Sequence, residues 1–203
     1  MASSSTAENL CNLALRRMGQ LPITSIDGSD KVSKICSEFY DDVRLDVLQA
    51  HSWNEAIVRA KLDKLATPLW GFSNSYLMPV DFVRFAYAEE MKYQFRIETF
   101  DGNKVISSDQ GSMNIAYVKD LDDVGLMSPK LRRCISLLLG SEMSIALTGD
   151  LNMKNLMLQE YFTCMAESRY EDLRSGPNDQ LVGTTWLDAR FGDTSKLAAA
   201  EMN

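Results

Sequence analysis

What most constrains the fold of this chain is the position of its helical stripes: two lie near the start, two follow residue 128, and none lies between. Leu10, Cys11, Ala14, Leu15 and Met18 recur every three or four residues, which puts them on one face of a first helix. Val32, Ile35, Cys36, Phe39, Tyr40, Val43, Val47 and Leu48 draw a longer stripe ending near Ala50. Leu131, Cys134, Ile135, Leu138 and Ile145 mark a third helix. Met153, Leu156, Met157, Tyr161, Cys164, Met165 and Ser168 mark a fourth. Each stripe must be buried against another element or a partner.

The boundaries carry their own chemistry. Ser5 followed by Glu8 reads as a capping box, and Gly19 and Pro22 close the first helix. Ser29 is expected to cap the second helix. Ser128 should cap the third, with Pro129 at the first turn, where its missing N–H costs nothing. Thr148-Gly149 should end that helix, Asp150 cap the fourth and Gly176-Pro177 stop it. Gly140 interrupts the third stripe and suggests a close approach between helices.

From Trp53 the period changes. Ala56, Val58, Ala60 and Leu62 alternate with charged residues, as on a half-buried strand. Phe82, Phe85 and Tyr87 read as extended. Asp101-Gly102, between 93–99 and 104–107, signals a hairpin, and Asn114 to Val118 a further strand. These patterns predict an α+β chain, mainly α: a four-helix bundle built from both ends of the chain, with an inserted small antiparallel β region and an extended C-terminal arm. The expected divisions are 1–52 with 128–176 for the bundle, 53–127 for the β insertion and 177–203 for the arm.

Composition narrows the function. The formal net charge is −7 and no Lys/Arg patch forms, so tight, sequence-independent nucleic-acid binding is not expected. No apolar run reaches the roughly 18 residues of a membrane span. The polar start, with Ser3, Ser4 and Ser5, lacks a signal-peptide layout, so the chain is expected to be made and kept inside the cell. Cys11, Cys36, Cys134 and Cys164 each fall within a helical stretch, without C-x-x-C or metal-ligand spacing. They fit free thiols of a reducing cytosol.

Few residues suit catalysis. His51 is the single histidine, so any triad would have to use it, and its place at the end of the second helix suits the last carbonyls. The acid pairs Asp41-Asp42, Glu89-Glu90 and Asp122-Asp123 are sequence neighbours, which point in different directions. Gly102 and Gly111 stand apart from any phosphate-loop context. Met153, Met157 and Met165 read as core filling. No catalytic, cofactor or metal site is expected, and the chain is read as not an enzyme.

Four segments resemble the tail tubular protein A family, the head-to-tail adaptors of podoviruses. They are NLALRRMGQLPITSIDG (12–28), VLQAHSWNEA (47–56), PLWGFSNSYLMPVDFVRF (68–85) and KDLDDVGLMSP (119–129). With the return helix pair that the last segment enters, they span about residues 8–175, and their order and spacing carry the likeness. The segment beyond Gly176 has no counterpart in it. Trp53 and Trp70 flank the helix-to-sheet junction and are expected to pack it.

The resemblance implies a structural virion protein at the head–tail junction, assembled in the host cytoplasm and without cofactor. It implies a homo-oligomeric ring, commonly of twelve copies, between the portal protein and the tail nozzle or tubular protein. Viral DNA would pass through in transit without tight binding, and no membrane would be involved. The acidic balance suits a channel wall that repels phosphate. In 178–203, Trp186, Leu187 and Phe191 are apolar anchors expected to dock onto the portal or a neighbouring subunit. Two other readings are a tail-associated glycan hydrolase and an unrelated cytosolic helical scaffold.

Overall fold

The computed structural model describes residues 6–66, 68, 70–89 and 94–175. Two compact units divide the chain, Met1–Ser168 and Arg169–Asn203. In chain order, among the described residues, α1 (Ala7–Arg17) and α2 (Lys31–Ala50) precede seven strands, and α3 (Pro129–Thr148) and α4 (Leu151–Ser175) follow them. Of the second unit, the described part is the continuation of α4 from residue 169.

The helix ends obey local chemistry. Gly19 takes the left-handed conformation just past α1 (φ +69°), and Gly149 does so past α3 (φ +68°), where a side chain would be strained. Thr6 stands at the N-cap of α1. Asp30 caps α2 by accepting from the Ser33 amide at 3.0 Å, so the cap falls one residue after the expected Ser29. Ser128 caps α3 through the Leu131 amide, and Asp150 accepts from the amides of Asn152 and Met153 at the start of α4.

The strands are β1 (Ile57–Leu62), β2 (Lys64–Ala66), β3 (Asn74–Leu77), β4 (Phe82–Ala88), β5 (Phe95–Phe100), β6 (Asn103–Ser108) and β7 (Met113–Lys119). They form two antiparallel sheets, ordered β1-β7-β4 and β2-β3-β6-β5. Asp101 (φ 48°) and Gly102 (φ 75°) turn β5 into β6, the backbone a two-residue hairpin requires. Strand β7 is central and uses its two faces differently. Met113, Ile115 and Tyr117 pack with Leu62, Tyr76, Met78 and Ile106 into a core shared by both sheets. Val118 points the other way, into the helical core.

This corrects the expected four-helix bundle with a small β insertion. The strands make two sheets with a core of their own, and the helices do not close a bundle among themselves. α1 and α2 lean chiefly on α3. Their layer is completed by Trp53, Ala56 and Val118, and by Leu121, Val124 and Met127 of the loop leading into α3. A helical stripe requires burial but does not specify what covers it, and here strand ends and a loop do part of that work.

One polar contact joins the layers. Arg44 of α2 is almost wholly buried, and its guanidinium donates to the carboxylate of Asp120, just past β7. Asp41 accepts from the same group at 3.2 Å. Among the described residues the Arg44 Nε has no hydrogen-bond partner.

Candidate interaction surface

Among the described residues, His51, Asp41, Glu89 and Asp123 serve local structure. His51 lies just beyond α2, its ring edge-on to Trp53 at 5.2 Å between centroids. Asp41 pairs with Arg44, Glu89 accepts from the Asn114 side chain at 2.6 Å, and Asp123 accepts from the Gly125 amide at 2.8 Å in a tight turn. Glu90 lies outside the described residues. Those three acids stand on α2, at the end of β4 and in the loop before α3, and each has a local partner. No group of three or more His, Cys, Asp or Glu among the described residues could hold a metal ion.

The cysteines are free thiols, buried where the sequence put them. Cys134 of α3 donates to the Cys164 sulfur of α4 at 2.8 Å. Burial, with that contact to Cys164, pushes the Cys134 thiol up. Cys11 of α1 is hydrogen-bonded to Cys36 of α2, and this contact and burial push the Cys11 thiol up as well. An open groove of about 320 Å³ lies between α3 and α4, lined by Arg133, Leu156, Glu160, Thr163, Cys164 and Glu167, with Gln159. Its acids are already paired: Glu160 with Arg17 at 2.8 Å, and Glu167 with Lys130 at 3.9 Å.

The two tryptophans expected at the helix-to-sheet junction differ. Trp53 is 1% exposed, and its indole N–H donates to the Val47 carbonyl at 2.9 Å, tying the end of α2 to the start of the sheet. Trp70 does not pack there. It is 83% exposed, in the loop between β2 and β3 beside Gly71, whose φ of +95° carries the chain around the turn. Trp186, Leu187 and Phe191 lie outside the described residues.

Several exposed apolar side chains were not singled out in the sequence. On α4, Leu151, Leu158 and Phe162 follow at seven and four residues and so share one helix face. Leu151 and Phe162 are 59% and 62% exposed, and Leu158 is half-buried. Leu21, Val80 and Leu126 add exposed apolar groups in three separate loops. The signal was present at 151, 158 and 162, but the inward stripe of Met157, Tyr161 and Met165 is stronger and masks it.

No helix among the described residues is long and apolar enough to cross a membrane. No family model matches the chain, and no curated protein matches it either.

Proposed function

We propose that this chain is a ring-forming head-to-tail adaptor of a short-tailed bacteriophage, a structural subunit placed between portal and tail tube. The outward apolar stripe of α4 carries the reading on the structural side. Leu151 and Phe162 are largely exposed on a flank of α4 beside the stripe that packs on the core, and Leu158 between them packs partly against that core. A closed ring built head-to-tail needs a surface of this kind on each subunit, meeting a different surface on the next copy. The engagement of Asp41, Glu89 and Asp123 in local contacts favours a structural role over glycan hydrolysis. The identity of the ring rests on the resemblance of the four segments, 12–28, 47–56, 68–85 and 119–129, to the tail tubular protein A family.

In this reading the neighbouring copy covers the α4 stripe. The segment 178–203 docks through Trp186, Leu187 and Phe191 onto the portal or the adjacent subunit. The net charge of −7 keeps the wall of the conduit from gripping DNA.

The test is a Leu151→Asp/Phe162→Asp variant, mixed with the portal and imaged by electron microscopy beside the wild type. The wild type should form rings on the portal, and the variant should stay dispersed with unchanged circular dichroism. Rings of unchanged appearance from the variant would remove the stripe from the interface.

A further inference from the structure

The sequence contains four cysteines, and the fold brings them together as two pairs, each bridging two helices: Cys11 with Cys36, and Cys134 with Cys164. The two pairs differ in access. Cys11 and Cys36 are wholly buried among the apolar side chains of α1 and α2. Cys164 is itself buried, at 2% exposure, but it is one of the residues lining the open groove between α3 and α4, whereas neither Cys11 nor Cys36 lines it.

The geometry of the second pair is close to that of a bond. The Cys134 S–H points at the Cys164 sulfur, with 2.8 Å between sulfurs. A disulfide needs about 2.05 Å. Less than about 1 Å of further approach would close it. Side-chain adjustment can supply that where the neighbouring polar atom, the Ser168 hydroxyl, stands back at 3.8 Å.

We propose that Cys134 and Cys164 form a redox-responsive pair, which a small peroxide entering the groove converts into a disulfide stapling α3 to α4. The Cys164 sulfur attacks one peroxide oxygen. The O–O bond breaks, a sulfenic acid forms, and the departing hydroxide takes the thiol proton as water. The Cys134 sulfur then attacks the Cys164 sulfur. The S–S bond forms as the S–O bond breaks, and the second hydroxide leaves with the Cys134 proton as a second water. Two thiols are oxidised by two electrons, and one peroxide is reduced to two waters. The staple closes a loop of roughly 30 residues, which restricts the unfolded chain and should raise the thermal midpoint by roughly 5–10 °C.

The inference stands apart from the adaptor reading, because it concerns only the folded subunit. The experiment treats the native, reduced wild-type chain with hydrogen peroxide, quenches by alkylation, and maps the peptides without reduction. The expected product is a Cys134–Cys164 cross-link that dithiothreitol reverses, forming well before any Cys11–Cys36 cross-link. Recovery of both Cys134 and Cys164 in alkylated form would overturn the proposal. So would a Cys11–Cys36 cross-link appearing as fast, because access through the groove would then not decide. A cross-linked chain with an unchanged thermal midpoint would overturn the staple.

Discussion

Gly140 of α3 lies so close to Met157 of α4 that a methyl group added at position 140 would stand 2.6 Å from the Met157 sulfur. The glycine interrupting the third helical stripe is therefore the contact point of the α3–α4 pair. Replacing Gly140 by Ala adds helix propensity worth up to about 1 kcal/mol but crowds that sulfur. The two effects should nearly cancel in the wild type. In a Met157→Ala background the crowding is gone, and Gly140→Ala should stabilise by roughly 0.5–1 kcal/mol. Urea unfolding of the four proteins gives the coupling, and an equal effect in both backgrounds would contradict it.

Arg44 and Asp120 should respond unequally to removal. Asp120→Ala leaves a buried guanidinium with only the exposed Asp41 as a charged partner, a loss expected to cost about 2–3 kcal/mol. Arg44→Met removes the buried charge together with its unpartnered Nε and keeps much of the apolar stem, so it should cost less than about 1 kcal/mol. Denaturant midpoints of the two variants rank the costs. The reverse order would mean that the ion pair itself stabilises the fold.

Alkaline pH should unfold the chain in a definite window. Burial pushes the Tyr40 phenol from 10.0 up to about 12, and burial with the hydrogen bond to Asp81 does the same for Tyr117. The unfolded chain therefore loses these protons first, and between pH 10 and about 12 it binds fewer protons than the native state. Stability is full below that window and falls as pH rises through it. Tyr40→Phe should flatten the fall. Because the Tyr40 hydroxyl has no partner among the described residues, the change should be neutral or stabilising by up to about 1 kcal/mol at neutral pH. Thermal midpoints across the pH range read both effects, and an unchanged alkaline slope in Tyr40→Phe would contradict the assignment.

Deleting residues 178–203 removes the three proposed anchors Trp186, Leu187 and Phe191. The truncated chain should keep the circular dichroism of the helices and sheets yet fail to co-sediment with the portal. Undiminished co-sedimentation would end the proposed role of the segment.

The elements legible in the sequence were those fixed by local rules. Ser128-Pro129 starts α3 and Asp150 starts α4 because their side chains satisfy nearby amides, and Asp101-Gly102 turns the hairpin because it tolerates positive φ. Strand β3 is legible only through the resemblance, as the aromatic strand before Pro79, and not through a period of its own. Its Asn74 and Ser75 are buried polar residues that break the apolar alternation, and Ser75 meets Ser107 at 2.9 Å in the sheet interior. The pairing of β1 with β7 joins residues more than fifty positions apart, Ile57 with Val118, which no local period reveals. The bundle was overread for the same reason: the stripes of α1 and α2 are real, but Leu121, Val124 and Met127 help to cover them. Trp70 looked like a packing residue by type alone, and the Gly71 turn holds it out in solvent.

The central claim, that these subunits close into a ring on a portal, is tested most directly by native mass measurement of the chain mixed with that portal. A complex holding a fixed set of 22.8 kDa subunits per portal, about twelve for a ring of the common size, is the predicted result. A chain that remains at 22.8 kDa in the presence of the portal would contradict the account.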